Sequence, residues 1–297
     1  MIKQVVQKAL RSLGYELRRL EPSPQTDTGR APAGPIAEPP PVNPTWPLPR
    51  RSGGPSDEEI RTGFARYDLW HYAYAFDGGL TFQARNNDPN LVLDTPERPL
   101  QRFGHFMPYL IEAENGSLRG KRVLDIGCNS GFWSIQLALL GAEVVGVDAR
   151  PELIEQANLV KSIVGATGAE FRVLDFWDMS PRTLDGIFDV VLNLGILYHL
   201  PNPLEALRLT KSLARRTVLL DTRVYRSMAP LVKLVWKEPT DIRAAAVPGL
   251  VAYPSKSSID LMLRHIGVTR WFEIPIRTTE MPLDYLDGSR ASWLIMV

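Results

Sequence analysis

Asp148 follows the glycine turn Gly127-Cys-Asn-Ser-Gly131 at the spacing that lets a carboxylate meet a ribose held over the turn. A carboxylate at the end of a second strand can accept hydrogen bonds from both ribose hydroxyls, so the pair reads as a nucleoside pocket. Strand, turn, helix and carboxylate do not fix the cofactor alone, because a dinucleotide site uses the same unit with its acid about 20 residues on. A pyrophosphate needs G-x-G-x-x-G, and here Asn129 and Phe132 stand at the second and third glycine positions. No G-K-[ST] follows, which excludes a P-loop. Cys128 could be a thiolate nucleophile or a small buried residue of the turn. With no His or acid beside it in sequence, the second reading is preferred. No His/Cys/Asp group has metal-ligand spacing, so no metal is expected.

The elements that must position these groups are legible around them. Val123, Leu124 and Ile126 form the apolar run of a strand covered on both faces. A helix begins near Gly131, carries Phe132, Ile135, Leu137 and Leu139, and stops at Gly141. The next strand, Glu143-Val-Val-Gly-Val-Asp148, ends in the carboxylate.

The turn resembles motif I of the class I S-adenosylmethionine (SAM) methyltransferases, and the likeness continues through residues 121–204. It implies a Rossmann-like, doubly wound α/β fold with seven mostly parallel strands. It also implies SAM as cofactor, held by Asp125, Gly127, Asn129, Gly131, Asp148 and Leu194. Asp175 falls where that family places an acid beside the adenine amino group, with Phe176 on the ring. The segment Phe188 to Leu204 resembles its fourth strand and the loop over the departing methyl. There Tyr198 lines the pocket, and His199 is the candidate general base for an alcohol acceptor. The other reading of His199 is a structural one, in which it bonds a backbone carbonyl of its own loop.

A closer resemblance is to the branch that carboxymethylates the tRNA wobble uridine from carboxy-SAM. Gly195-Ile-Leu-Tyr-His199, Pro203-Leu-Glu205, Ile276-Arg-Thr-Thr-Glu280 and Asp287-Gly-Ser-Arg290 carry it. That likeness would set Tyr198 and Arg290 on the extra carboxylate. The stretch ahead of motif I, Gln101-Arg-Phe-Gly-His-Phe106, lacks that branch's tryptophan and lysine pattern. Plain SAM is therefore the preferred donor.

With 297 residues and 44% hydrophobic content, the chain can bury one large core. A net charge of +1 shows no general basic excess for gripping nucleic acid. One cysteine excludes an internal disulfide and suits a reducing compartment, so a cytoplasmic location is expected. No apolar run reaches the roughly 20 residues that cross a bilayer.

Four parts follow in order. Residues 1–21 read as an amphipathic basic helix, with Val5, Leu10, Leu13 and Leu17 on its apolar stripe. It would contact a protein surface or the inner face of a membrane. Its end, Leu13 to Leu20, also resembles the leader of bacterial methyltransferases of surface glycans. Residues 22–56 are rich in proline and read as a disordered, mobile linker. Residues 57–118 form a helical preface with many aromatics, which either roof the substrate, through Trp70 and His71, or are core of the added helices. Residues 119–297 are the methyltransferase domain, with an irregular insertion at about 223–253 over the site. The expected reaction is O-methylation of a saccharide, glycolipid precursor or other small molecule. tRNA modification and a non-catalytic SAM-fold binding protein are the alternatives.

Overall fold

The computed structural model describes residues 39–85, 97–237 and 249–297. The expected basic helix and the linker up to residue 38 lie outside the described residues. Ser56 opens α1 (Asp57–Ala65) with a capping box: its hydroxyl accepts from the Glu59 amide, and the Glu59 carboxylate accepts from the Ser56 amide at 2.7 Å. A hairpin of β1 (Tyr74–Phe76) and β2 (Leu80–Phe82) follows, then α2 (Glu97–Ala113).

The central α/β half alternates β3 (Arg122–Ile126), α3 (Phe132–Leu139), β4 (Glu143–Asp148), α4 (Pro151–Val164), β5 (Ala169–Val173), β6 (Phe188–Leu194), α5 (Pro203–Ser212) and β7 (Ala214–Arg223). After it come β8 (Val232–Lys237), β9 (Gly249–Pro254), α6 (Lys256–His265), β10 (Arg270–Glu273), α7 (Leu283–Leu286) and β11 (Arg290–Met296).

Seven strands form one sheet in the order β10-β11-β7-β6-β3-β4-β5. β3 to β7 run parallel, and β11 enters antiparallel between β7 and β10. Side chains alternate across it. Val190 and Leu192 of β6 join the cluster under α2, α3 and α4, while Val191 joins the cluster under α5 and α6. Strands covered on both faces read as near-continuous apolar runs, which is why β3 was visible in sequence. Strand order reverses between β3 and β6. The crevice beyond their carboxyl ends is where open α/β sheets bind ligands.

Two expectations are corrected. Residues 39–55 are not a free linker: Leu48 is 1% exposed, its amide donates to Ala75 O and its carbonyl accepts from Asp77 N. The Thr45 backbone also exchanges two hydrogen bonds with the Gln136 side chain. Proline removes backbone donors but leaves carbonyls and apolar rings, so this strap binds through the residues between its prolines. Within the segment 223–253 the described residues are not irregular throughout, because β8 and β9 pair as an antiparallel ribbon.

Candidate active site

β3 delivers the chain into Gly127 at φ +66, where a Cβ would lie 2.1 Å from Ile196 Cδ1. Only glycine lets the loop after β6 close over the tip of β3. Asn129 also sits at positive φ, +52, and its Oδ1 accepts the Ser130 amide at 2.7 Å, the local bond that makes asparagine tolerable there. Gly131 begins α3. Tyr74 of the preface donates to Ser130 O at 2.6 Å and so ties β1 to this turn.

Asp148, at the end of β4, is 4% exposed. Its Oδ2 accepts the Asn129 amide at 3.2 Å, and its Oδ1 accepts the Arg150 amide at 3.1 Å. The Arg150 guanidinium lies on the same carboxylate, Nε at 3.1 Å and Nη2 at 3.3 Å. Asp125 lies deeper, bonded to Ser134 Oγ at 2.7 Å, and burial pushes its carboxyl up to about 7. Burial likewise raises the Cys128 thiol, which leaves it inert.

Asp175 is exposed and caps the turn Phe176–Asp178 through the Trp177 amide, 2.9 Å from its Oδ1. Phe176 is 8% exposed in the cluster with Val147 and Met179, and Trp177 stands 44% exposed beside it.

Leu194 ends β6, half-buried. Gly195 turns at φ +89 and donates its amide to Asp221 O at 2.8 Å. Tyr198 and His199 follow on a single 3₁₀ turn. Among the described residues the His199 imidazole makes no hydrogen bond; it packs on Tyr198 with ring centroids 4.1 Å apart. The expected alternative, a histidine holding its loop through a carbonyl, is not what the structure contains. Burial first, then Arg150, Arg290, Lys237 and Arg223, push the imidazole down to about 3. It is neutral at neutral pH.

Arg290, at the start of β11, meets Tyr198: Nη2 is 3.4 Å from the phenol oxygen and the guanidinium lies 5.3 Å from the ring centroid. The rest of Arg290 is committed, Nη1 to Asp221 at 2.5 Å and Nε to Asp284 at 2.8 Å. Asp221 is 0% exposed and also receives Arg102 Nη2 at 2.8 Å, Tyr285 Oη at 2.6 Å and Ser292 Oγ at 2.9 Å. Burial alone would raise its carboxyl; Arg290 and Arg102 overcome that and hold it below the usual range.

The preface divides. Trp70 follows the core reading of the preface: it is 1% exposed, stacked on Phe64 at 4.2 Å, and its indole N–H donates to Phe64 O. His71 packs on Tyr72, which reaches Phe132 at the start of α3. Arg102, Asp221 and Tyr285 went unrecognised in the sequence because nothing local marks them. Trp133, and His105, a weaker candidate base from the preface, each bury a ring nitrogen, Nε1 and Nε2, without a hydrogen-bond partner. Among the described residues no His, Cys, Asp and Glu are grouped to hold a metal.

Comparison with known proteins agrees with this geometry. A family model described as a methyltransferase domain matches residues 117–265. A ubiquinone biosynthesis O-methyltransferase of Xanthomonas campestris is 35% identical over 41% of this chain and 50% of its own length. A tRNA U34 carboxymethyltransferase of Pseudomonas aeruginosa is 35% identical over 50% of this chain and 45% of its own. The chain thus spans about half the length of the curated relatives it matches. The N-terminal domain of EvdMO1, solved with SAH and D-fucose, shares the fold with TM-score 0.63 at 21% identity, covering 83% of this chain and 98% of that one. With half of its residues matched by one family model, on a sheet whose crevice holds the glycine turn and Asp148, the chain belongs to the methyltransferase-domain family.

Proposed function

We propose that the chain uses SAM to methylate a hydroxyl oxygen of a saccharide, glycolipid precursor or other small molecule. The donor side fits an adenosyl group. It offers a bare glycine turn, and the carboxylate at the tip of β4 has a side-chain partner, Arg150, that is 27% exposed and can turn to solvent. When bound, SAM supplies a methyl group already activated by its sulfonium charge.

The chain's own work is alignment and proton removal. Asp148 fixes the ribose, the turn Gly127–Gly131 sets the depth of the nucleoside, and the loop Gly195–His199 faces the acceptor. Holding the reactants in line can supply roughly 7–11 kcal/mol of barrier reduction, so packing around Tyr198 and Tyr253 matters as much as any base. His199 takes the acceptor proton. The observation that carries this reading is its imidazole, free of hydrogen bonds among the described residues, on the turn that follows β6; burial and the nearby cations lower its basicity, so alignment carries most of the barrier reduction. An oxygen acceptor is also in keeping with the name of the Xanthomonas relative.

A second reading, carboxymethyl transfer to a tRNA uridine, is favoured by one observation: Arg290 and Tyr198, which the sequence resemblance would place on the extra carboxylate, do meet. Incubation with labelled SAM or carboxy-SAM, purified glycan acceptors and bulk tRNA separates the two. Label from SAM in a glycan is expected; incorporation only into tRNA overturns the first reading. Replacing His199→Gln should lower turnover on the true acceptor by about 10²–10⁴. A change within threefold across pH would remove His199 as the base.

A further inference from the structure

Arg150, Arg290, Lys237 and Arg223 stand around the His199 imidazole closely enough to lower it. The first two are already matched. Arg150 lies on the Asp148 carboxylate, and Arg290 on Asp221 and Asp284. Arg223 and Lys237 are exposed, and among the described residues no carboxylate pairs with either.

The two cations reach this place from different elements. Arg223 closes β7 and stands directly opposite Arg290 of β11, a pairing of like charges that works against the sheet. Lys237 closes β8. By register Lys233, Val235 and Lys237 share a face of the ribbon with Tyr253, Val251 and Gly249, and Tyr253 is the ring that stacks on Tyr198 with centroids 6.0 Å apart. The face that carries Lys237 is therefore the one turned to Tyr198 and His199. Residues 223–237 contain no acid to offset these charges. The other cations of that stretch are engaged: Arg226 donates to Asp287 O at 3.2 Å, and Lys233 lies over the Tyr225 ring at 5.6 Å. Two unmatched cations beside one turn suit a single phosphate or carboxylate, whereas a nucleic acid presents a run of phosphates and is gripped by many.

We propose that the acceptor carries an anionic group, a phosphate or a carboxylate, and that Arg223 and Lys237 receive it beside His199. The inference rests on the reading of the Tyr198–His199 turn as the acceptor side. Charge-assisted hydrogen bonds to that group hold the acceptor against the turn and align its hydroxyl. The anion also offsets the part of the His199 depression that these two cations cause, while the larger part, from burial, stays.

The chain saturated with SAH, the demethylated cofactor, is titrated by calorimetry with inorganic phosphate, glucose 6-phosphate and glucuronate, and with glucose as the neutral control. Saturable binding of at least one anion is expected, with none of glucose; the tighter of the two sugar anions tells phosphate from carboxylate. R223A/K237A should weaken the anion by about tenfold or more, and R223K/K237R should hold it within about threefold. SAH affinity and the thermal midpoint should stay unchanged in both variants. H199Q should keep the anion site, so failure of the base and failure of this proposal are told apart. Absence of anion binding by the parent chain overturns the proposal. So does equal binding by R223A/K237A, which would put the anion elsewhere, and so does a loss of SAH affinity in that variant, which would give both cations to the cofactor. Displacement of phosphate by a uridine oligonucleotide, with both sugar anions bound no better than glucose, also overturns it.

Discussion

On the donor side of the crevice Gly127, Asn129, Gly131 and Asp148 come from one βαβ unit and are joined mainly through backbone amides. On the acceptor side Arg102, Tyr198, Asp221, Tyr285 and Arg290 converge from five elements, with Arg102 and Tyr285 separated by 183 residues. The two sides therefore fail differently. A donor residue can be lost with local consequences, because its partners are amides or a partly exposed arginine. An acceptor residue stands in a buried charge network that ties α2 to the antiparallel edge of the sheet.

The largest contrast should appear at Asp221. D221A leaves the Arg102 and Arg290 guanidinium groups, both 6% exposed as residues, without the carboxylate they share. Breaking a buried ion pair by removing one partner costs about 3–5 kcal/mol, and urea unfolding should register a loss of that order. A loss below about 1 kcal/mol would show that the network is not held in this form. D148A gives the opposite pattern. Hydrogen bonds to a charged group contribute about 1.5–3 kcal/mol each, so SAM affinity should drop ~10–100-fold by calorimetry while the urea midpoint falls by less than in D221A.

The same contrast explains what could be read in advance. The donor side was legible because its signals are short range: an apolar run for β3, a turn with Gly127 and Gly131, and a carboxylate closing β4. Asp221 lies inside the run Val218-Leu-Leu-Asp-Thr222, where periodicity marks a strand but not what its one acid meets. Arg102 carries no local signal of its place: it lies over the Trp133 ring at 5.5 Å and faces inward. Trp70 stood open between two readings. Aromatic composition signals burial and binding surfaces alike, and only the Phe64 carbonyl, reached through the turn after α1, settles that its N–H is satisfied inside. The strap 39–55 was missed because proline content speaks of backbone stiffness and is silent about which intervening side chains dock.

Acid should sharpen the comparison, since both depressed histidines lie on the acceptor side. Burial pushes His105 down to about 4 and His199 to about 3, against an ordinary value of 6.5. Below pH 6.5 the unfolded chain takes up protons that the folded chain refuses. Stability conferred by the neutral imidazoles is therefore complete above that pH and is lost as pH falls toward 4. Each histidine should remove about 1 kcal/mol between pH 6.5 and 5.5. H105Q should flatten the slope of urea midpoint against pH in that window by about half. An unchanged slope would place the acid sensitivity elsewhere.

The smallest effect belongs to Arg150, and it bears on whether the donor side is as local as its wiring suggests. The Arg150 guanidinium holds both oxygens of Asp148, the same atoms that ribose hydroxyls require. Nucleoside binding must then displace it toward solvent. A partly exposed ion pair contributes only about 0–1 kcal/mol, so the competition is weak. R150A should leave SAM affinity unchanged or tighten it by up to about fivefold, the equivalent of 1 kcal/mol. A more than tenfold weakening would mean that Arg150 touches the nucleoside itself. The donor side would then depend on a side chain that moves on binding, and the division between a locally wired half and a networked half would no longer hold.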